Sequence, residues 1–310
     1  MLISDGLDLF LMSLNGAKSP ETHKWYQRRL SPLLPFLGDV EIGSVTVHDL
    51  RRWRAELSER KVKYENHPSG RAPVEGGLSQ YTLHGYVRAA RRFFKWLEEE
   101  GILDMDPARR LELPKLPKGV VKGIPQEDLE KILDAAANSC PRDFALTWFL
   151  YSTACRVGGV VRLRLSDLDL DHCHAYVHEK GDKTRPVFFV PQAIEAMRAW
   201  LAARPDAYAK YRDDEHVFVG LRGPLQESGV YQVMERLAGK AGVEHGWYPH
   251  NWRHRRLRQL QANGMSLKPL SQIAGHSGVE VTGDIYGTMS EDELQRIYMQ
   301  YALPLSPRDK

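Results

Sequence analysis

The clearest folding signal in the chain is an amphipathic pattern over residues 79–100. Apolar side chains recur there at intervals of three and four residues, which is the spacing of one face of an α-helix. These residues are Leu83, Tyr86, Val87, Ala90, Phe93, Phe94 and Leu97. Helical patterns also cover residues 4–15, 20–36 and 46–60. The first third of the chain is therefore predicted to be a helical domain.

A second face of the same predicted helix is basic. Four cations follow helical spacing there, and we call them the basic stripe: Arg88, Arg91, Arg92 and Lys95. A basic face is often only solvated, but no acidic residue interrupts this one before Glu98. Uncompensated cations on one helix face are suited to contact phosphates or to lie in a major groove. The basic stripe is therefore predicted to bind nucleic acid.

Residues 113–125 separate two predicted domains. Their sequence, LPKLPKGVVKGIP, holds three prolines, two glycines and three lysines, a composition typical of an extended linker. Residues 1–112 are then the first domain and residues 126–310 the second. The second domain is predicted to be mainly α with a small antiparallel β-sheet, because HAYVHEK and RPVFFV flank the turn residues GDKT.

Composition limits the partners and the location of the protein. The formal net charge is only +3, so binding to nucleic acid must come from local patches rather than from a global field. No apolar run approaches the ~18 residues that a membrane span needs, so no contact with a membrane is expected. The three cysteines cannot all pair and form no C-x-x-C motif, which favours a reduced cytoplasmic setting.

Six residues of the C-terminal half are suited to the chemistry of a phosphodiester: Arg156, Lys180, His250, Arg253, His276 and Tyr286. Arginines can neutralise the non-bridging oxygens as charge builds in the transition state. A tyrosine can act as a nucleophile that stays covalently attached. Histidines and a lysine can move the protons. Taken singly, each residue also fits an ordinary surface or core position.

The order and context of these residues resemble the tyrosine recombinases of the phage integrase family, in an Xer-like arrangement. The family pattern of T-G-x-R, K-G-x-K, H-x-x-R, G-H-S and a final tyrosine reads here as TACR, KGDK, HNWR, GHS and Tyr286. The resemblance implies a helical core-binding domain and a catalytic domain, acting on double-stranded DNA as a homo-tetramer on paired sites. It also implies a 3′-phosphotyrosyl intermediate formed by Tyr286, with Arg156 and Arg253 stabilising the transition state and no cofactor.

By the same resemblance, His276 helps the two arginines, His250 acts as general base and Lys180 as general acid. Lys183, three residues further on in the turn, is the second choice for the lysine. Lys183 and Arg255 are also expected to contact DNA.

One position departs from the family pattern. Relatives carry Glu or Asp three residues after the first arginine, and here that place is Gly159. Because the acid is expected to brace the site, its loss affects the preorganisation of Arg156 or His250 and not the reaction class.

Two other classes of protein stay open. One is a type IB topoisomerase-like nicking-closing enzyme, and the other is a non-catalytic DNA-binding relative.

Two further segments are considered as a metal site and as a contact with another protomer. A cluster of His172, Cys173, His174 and His178 offers metal ligands. However, successive strand residues point to opposite faces and no second cysteine pair is present, so a solvated hairpin edge is favoured and no metal is expected. The apolar stretch IYMQYALPL after Tyr286 is a candidate for packing on a neighbouring protomer.

Overall fold

The structure is a computed structural model, and it describes residues 1–63, 72–117, 123–179, 183–275 and 291–302. The chain divides into two compact units, Met1–Gly119 and Val120–Lys310. The division between them falls inside the segment 113–125 that the sequence suggests as a linker. In the part of the chain that the structure describes, no helix has the length and apolar character of a membrane span.

The first unit is a helical bundle. Its helices are α1 (Ile3–Ser13), α2 (Pro20–Leu30), α3 (Leu33–Leu37), α4 (Val47–Glu59) and α5 (Gln80–Glu99). A short antiparallel pair is formed by β1 (Val62–Lys63) and β2 (Val74–Glu75). The predicted apolar face of α5 is buried in the bundle, with Leu83, Val87, Phe93 and Leu97 at most 5% exposed. The prediction of a helix over 79–100 is confirmed to within one residue at each end.

The prediction of one helix over residues 20–36 is wrong. The chain forms α2 and α3 instead, and the break falls at Ser31 and Pro32. Proline lacks the backbone N–H that continues a helix, and its ring clashes with the preceding turn, so α2 ends before it. The expected cap at the other end of α2 is present, because the hydroxyl of Ser19 accepts a hydrogen bond from the backbone N–H of Thr22 at 3.3 Å.

The second unit is mainly helical around a small sheet. Its helices are α6 (Gln126–Ala137), α7 (Pro141–Thr153), α8 (Val157–Arg162), α9 (Pro191–Ala207), α10 (Glu227–Lys240), α11 (Pro249–Ala262), α12 (Leu267–Ala274) and α13 (Glu291–Tyr301). Its strands are β3 (Leu168–Asp169), β4 (His174–Glu179), β5 (Lys183–Phe188), β6 (Val219–Gly220) and β7 (Gly223–Pro224). Strands β3, β4 and β5 form an antiparallel sheet in that order, and β6 pairs with β7. The predicted fold class, mainly α with a small antiparallel sheet, is confirmed.

Helix α7 lies at the centre of the second unit and sets up the turn into α8. Its side chains pack against α6, α9 and α11, and Phe149 and Leu150 are buried. The helix ends because Ala154 adopts a left-handed conformation with φ of 50°. That conformation costs a non-glycine residue roughly 1–2 kcal/mol. The turn makes Arg156 the residue that caps the start of α8.

The predicted hairpin is confirmed, and it is built from β4 and β5. Glu179 at the end of β4 pairs with Lys183 at the start of β5. The connecting residues 180–182 lie outside the described residues. The hairpin therefore fixes the position of Glu179 immediately before the connection that contains Lys180.

Helix α13 packs on its own unit. Leu294, Tyr298 and Ala302 are at most 5% exposed and belong to the core of the second unit. The hydroxyl of Tyr298 accepts a hydrogen bond from Nη2 of Arg256 at 2.9 Å and donates one to the carbonyl of Ser152. The part of this stretch that lies in α13 thus packs on its own unit, and packing of the stretch on a neighbouring protomer stays a prediction.

Candidate active site

Three of the six residues expected to carry the chemistry lie in the described part of the chain. These are Arg156, His250 and Arg253. The other three, Lys180, His276 and Tyr286, lie outside the described residues. The described part of the site therefore consists of the two arginines, the histidine and the side chains around them.

Arg156 stands at the start of α8 with its side chain 41% exposed. Its Nη1 donates a hydrogen bond to the carboxylate of Glu179. Nη1 and Nη2 each also lie 3.3 Å from the carbonyl oxygen of Gly275, to which both donate. One side of the guanidinium is thus held by the protein, while much of the side chain remains open to solvent.

Arg253 lies on α11 and is almost fully buried, with 3% of its surface exposed. Nη1 donates a hydrogen bond to the carbonyl of Ala154 at 2.6 Å, and Nη2 donates to the carbonyl of Ala274. Burial and the nearby charges of Arg156 and Arg185 lower the pKa of Arg253 to about 10. That value is far above neutral pH, so the guanidinium stays charged although it is buried.

The end of α12 brings the arginines together. Arg185, Arg253 and Arg156 donate hydrogen bonds to the carbonyls of three successive residues, Ile273, Ala274 and Gly275 respectively. The last carbonyls of a helix have no partner within the helix and carry a partial negative charge, so they attract cations. Arg156 and Arg253 thus meet at the same helix end, and we call these two residues the arginine clamp. It lies beside Gly275, the residue before His276.

His250 lies at the start of α11 and is exposed. Its Nε2 is 2.8 Å from Nε2 of His254, and the two rings meet edge to face. Partial burial, followed by the charges of Arg253 and Arg156, lowers the pKa of His250 below its ordinary value. A lowered pKa favours the neutral imidazole, which is able to accept a proton. This protonation state suits the expected general base.

Two residues of the site were missed in the sequence, Glu179 and Arg185. Glu179 is buried on β4 and contacts both Arg156 and Arg185, with Oε1 at 3.0 Å from Nη2 of Arg185. Burial raises the pKa of Glu179, but hydrogen bonds and charges of the two arginines outweigh burial, so the net shift is downward. The missing acid at Gly159 was the signal that another carboxylate should be sought.

The basic stripe on α5 is not free of acidic partners, which corrects the expectation of four uncompensated cations. Glu99 forms ion pairs with Arg92 at 2.7 Å and with Lys95 at 3.6 Å. Arg88 stacks on the ring of Trp25, with 4.8 Å between the guanidinium carbon and the ring centroid. The sequence prediction stopped at Glu98 and overlooked the next residue, which is two helical turns beyond Arg92. Arg91 is half-buried on the same helix.

The two other expected DNA contacts differ in exposure. Lys183 is exposed at the start of β5. Arg255 is half-buried, and its Nη2 donates a hydrogen bond to Oε1 of Gln126 at 2.5 Å. The backbone of Arg255 also lies against Gly123, where an added Cβ would come within 2.7 Å of it. Arg255 therefore contributes to packing between α11 and the start of the second unit.

The histidines near β4 bind separate carboxylates. His172 contacts Asp169 at 2.9 Å, His174 contacts Glu291 at 3.4 Å and His178 contacts Asp167 at 3.3 Å. Within the described ranges, no group of three or more His, Cys, Asp or Glu residues is placed to hold a metal ion.

Comparison with known proteins identifies the family. Residues 122–293 match the phage integrase family. The chain is 33% identical over 234 residues to tyrosine recombinase XerC of Bacillus pumilus, which covers 73% of this chain and 76% of that protein. It is 30% identical over 305 residues to tyrosine recombinase XerC of Oceanobacillus iheyensis, which covers 95% of this chain and 94% of that protein.

A solved structure shares the fold. The chain is similar to a lambda integrase tetramer bound to a Holliday junction, with a TM-score of 0.66 and 15% identity, over 92% of this chain and 80% of that chain. The protein belongs to the phage integrase family. It is a site-specific tyrosine recombinase of the Xer type. These relatives do not favour the topoisomerase-like or the non-catalytic alternative.

Proposed function

We propose that this recombinase cleaves and rejoins double-stranded DNA at a site formed by the arginine clamp, His250, Lys180, His276 and Tyr286. The observation that carries the proposal is the arginine clamp at the end of α12. The two guanidiniums converge beside the residue that precedes His276, and Tyr286 follows His276 by ten residues. The proposed nucleophile thus follows the clamp closely in the sequence.

The reaction is a transesterification that conserves the phosphodiester bond energy. The phenol oxygen of Tyr286 attacks the scissile phosphorus and gives its proton to His250. The bond from phosphorus to the 5′ oxygen breaks, and Lys180 protonates that oxygen as it leaves. The arginine clamp, helped by His276, neutralises the non-bridging oxygens. A 5′-OH from a second duplex reverses these steps and reseals the strand without a cofactor.

The assembly and the setting are part of the proposal. A lambda integrase of similar fold is a tetramer bound to a Holliday junction, which supports a homo-tetramer on two paired sites. The first domain, residues 1–112, binds the duplex through α5, and the catalytic domain, residues 126–310, follows the linker 113–125. The three cysteines are free, which supports a reducing cytoplasm as the setting.

Covalent capture tests the proposed function. The protein is incubated with a library of DNA fragments from the genome that encodes it, and covalent complexes are isolated under denaturing conditions. We expect a single DNA sequence to be linked by its 3′ end to the peptide that contains Tyr286, with EDTA present. A covalent link to a 5′ end, or a requirement for added metal, would contradict the mechanism.

The acid limb of the pH–rate profile should report His250. The pKa of this histidine is lowered. Its imidazole therefore becomes protonated, and stops acting as a base, only as pH falls through a value below the ordinary pKa of about 6.5. We expect the single-turnover cleavage rate to be flat near pH 7 and to fall in that acid range. His250→Gln should slow cleavage and remove this limb.

The control for the pH profile is His245→Gln, which changes an exposed histidine before α11. It should keep the wild-type profile. A limb that persists in His250→Gln would assign the titration to another group, with His254 tested next because it contacts His250.

Salt dependence of DNA binding should reveal which cations of the basic stripe meet phosphates. Arg88→Ala should weaken binding and flatten the slope of log K against log salt by about 1 for each phosphate that the protein no longer neutralises. Glu99→Gln should do the opposite, because Glu99 neutralises Arg92 and Lys95 in the free protein. Both are measured by titrating labelled duplex at several salt concentrations.

The matched control for the basic stripe is Arg52→Ala on α4, where Arg52 is an exposed partner of Asp49. It should leave the salt slope unchanged. If Arg88→Ala and Glu99→Gln also leave the slope unchanged, the basic stripe is only a solvated face.

A further inference from the structure

Glu179 is a buried carboxylate, and among the described residues its side chain binds Arg156 and Arg185 of the candidate active site. Its side chain is 5% exposed. One oxygen binds Nη1 of Arg156, and the other lies 3.4 Å from the backbone N–H of Arg156 and 3.0 Å from Nη2 of Arg185. A carboxylate that engages both the backbone and the side chain of one arginine fixes where that guanidinium points.

The same carboxylate lies beside Gly159, where the family pattern described above has Glu or Asp. A Cβ added to Gly159 would be 3.8 Å from Cγ of Glu179, 3.6 Å from Sγ of Cys155 and 3.4 Å from Cβ of Val177. These are ordinary van der Waals distances, so the Cβ of a side chain at position 159 would lie next to Glu179 without a clash. Because Gly159 has no side chain, this space is open to the carboxylate of Glu179 on β4.

Glu179 also links three parts of the site. It belongs to β4, it holds Arg156 at the start of α8, and through Arg185 it reaches the carbonyl of Ile273 in α12. Gly275 has no room for a Cβ, which would lie 2.9 Å from Oε2 of Glu179 and 2.6 Å from Nε of Arg185. The carboxylate is therefore packed between two cationic groups and the end of α12.

We propose that Glu179 is the positioning residue of Arg156, and that it supplies from β4 the carboxylate that Gly159 lacks. The inference rests on the proposed function of Arg156 in the arginine clamp. Without the carboxylate, one face of a half-exposed guanidinium would lose its charged partner, and the side chain would sample other rotamers. The cost would fall on the transition state more than on DNA binding, because Arg156 would still be present and charged.

The first test removes the charge and keeps the shape. Single-turnover cleavage is followed on a nicked duplex that carries the site mapped for the wild type, and DNA affinity is measured on the same duplex. We expect Glu179→Gln to slow cleavage at least tenfold with no loss of affinity. Glu215→Gln, which removes the carboxylate from the exposed pair of Glu215 with Arg164, should keep the wild-type rate.

The second test moves the carboxylate. Glu179→Gly should be as slow as Glu179→Gln, and adding Gly159→Glu should restore cleavage to within a few-fold of wild type. Recovery of this kind separates positioning from a purely structural role, because the rescued protein has the charge in a different element. Thermal unfolding of each variant confirms that the compared proteins are folded.

The outcomes separate the two proposals. If the wild type forms an adduct through Tyr286 but Glu179→Gln cleaves as fast or faster, the proposed function stands and the positioning role fails. A double variant no faster than Glu179→Gly would show that a carboxylate at position 159 does not replace Glu179. If the wild type forms no adduct through Tyr286, the proposed function itself fails. The positioning role then fails with it.

Discussion

Tyr286→Phe should bind DNA with wild-type affinity and form no covalent adduct. The substitution removes only the phenol oxygen, which is the atom that attacks the phosphorus in the proposed mechanism. With a nicked substrate that releases a short fragment after cleavage, the wild type should become trapped on a DNA 3′ end. The adduct is measured by denaturing gel electrophoresis and by mass spectrometry of the linked peptide. No trapped product should be detected for the phenylalanine variant.

The control for Tyr286→Phe is Tyr301→Phe in α13, which should still form the adduct. Tyr298 is unsuited to replace Tyr286, since it is 1% exposed and its hydroxyl is engaged by Arg256 and Ser152. An adduct that survives Tyr286→Phe and disappears in Tyr301→Phe would move the nucleophile to α13.

Loss of either arginine of the clamp should slow strand cleavage by on the order of 10³ or more, by analogy with other guanidinium contacts to a transferring phosphoryl group. Arg156→Ala is the cleaner test, because its side chain is 41% exposed. Arg253→Ala should also destabilise the fold, because Arg253 is buried and satisfies the carbonyls of Ala154 and Ala274. Single-turnover rates are therefore compared with unfolding midpoints for both variants.

Arginines outside the clamp provide the matched controls. Arg164→Ala, near α8, removes an exposed partner of Glu215, and Arg258→Ala removes an exposed side chain on the same helix as Arg253. Both should cleave at close to the wild-type rate. An effect of only a few-fold for Arg156→Ala, in a folded protein that binds DNA, would contradict the electrostatic role of the clamp.

The parts of the fold that could be predicted from the sequence depend on local patterns. Helix α5 and the β4–β5 hairpin follow from apolar spacing and turn residues, which act within a few positions along the chain. The break between α2 and α3 could also have been predicted, because Pro32 is visible in the sequence and proline rarely continues a helix. The pairing of Glu99 with Arg92 required only one more residue of the same helix to be considered.

The site was less predictable where its contacts span long stretches of chain. The H-x-x-R spacing places His250 and Arg253 on one face of a helix, which local geometry guarantees. In contrast, Glu179 is 23 residues from Arg156, and Arg185 is 88 residues from the carbonyl that it holds in α12. No local pattern encodes such contacts, since they depend on how the β4–β5 hairpin, α8 and α12 pack together.

The docking of α13 limits the reach of Tyr286, the proposed nucleophile. Tyr286 precedes Glu291, the first residue of α13, by five positions, and five residues span at most roughly 18 Å. Glu291 accepts a hydrogen bond from the hydroxyl of Tyr176 at 2.5 Å, and Tyr176 lies three positions along β4, about 10 Å, before Glu179, which binds Arg156. While α13 stays docked, this short connection holds the phenol at a high effective concentration near its own protomer. We therefore expect cleavage in cis, with each subunit using its own tyrosine.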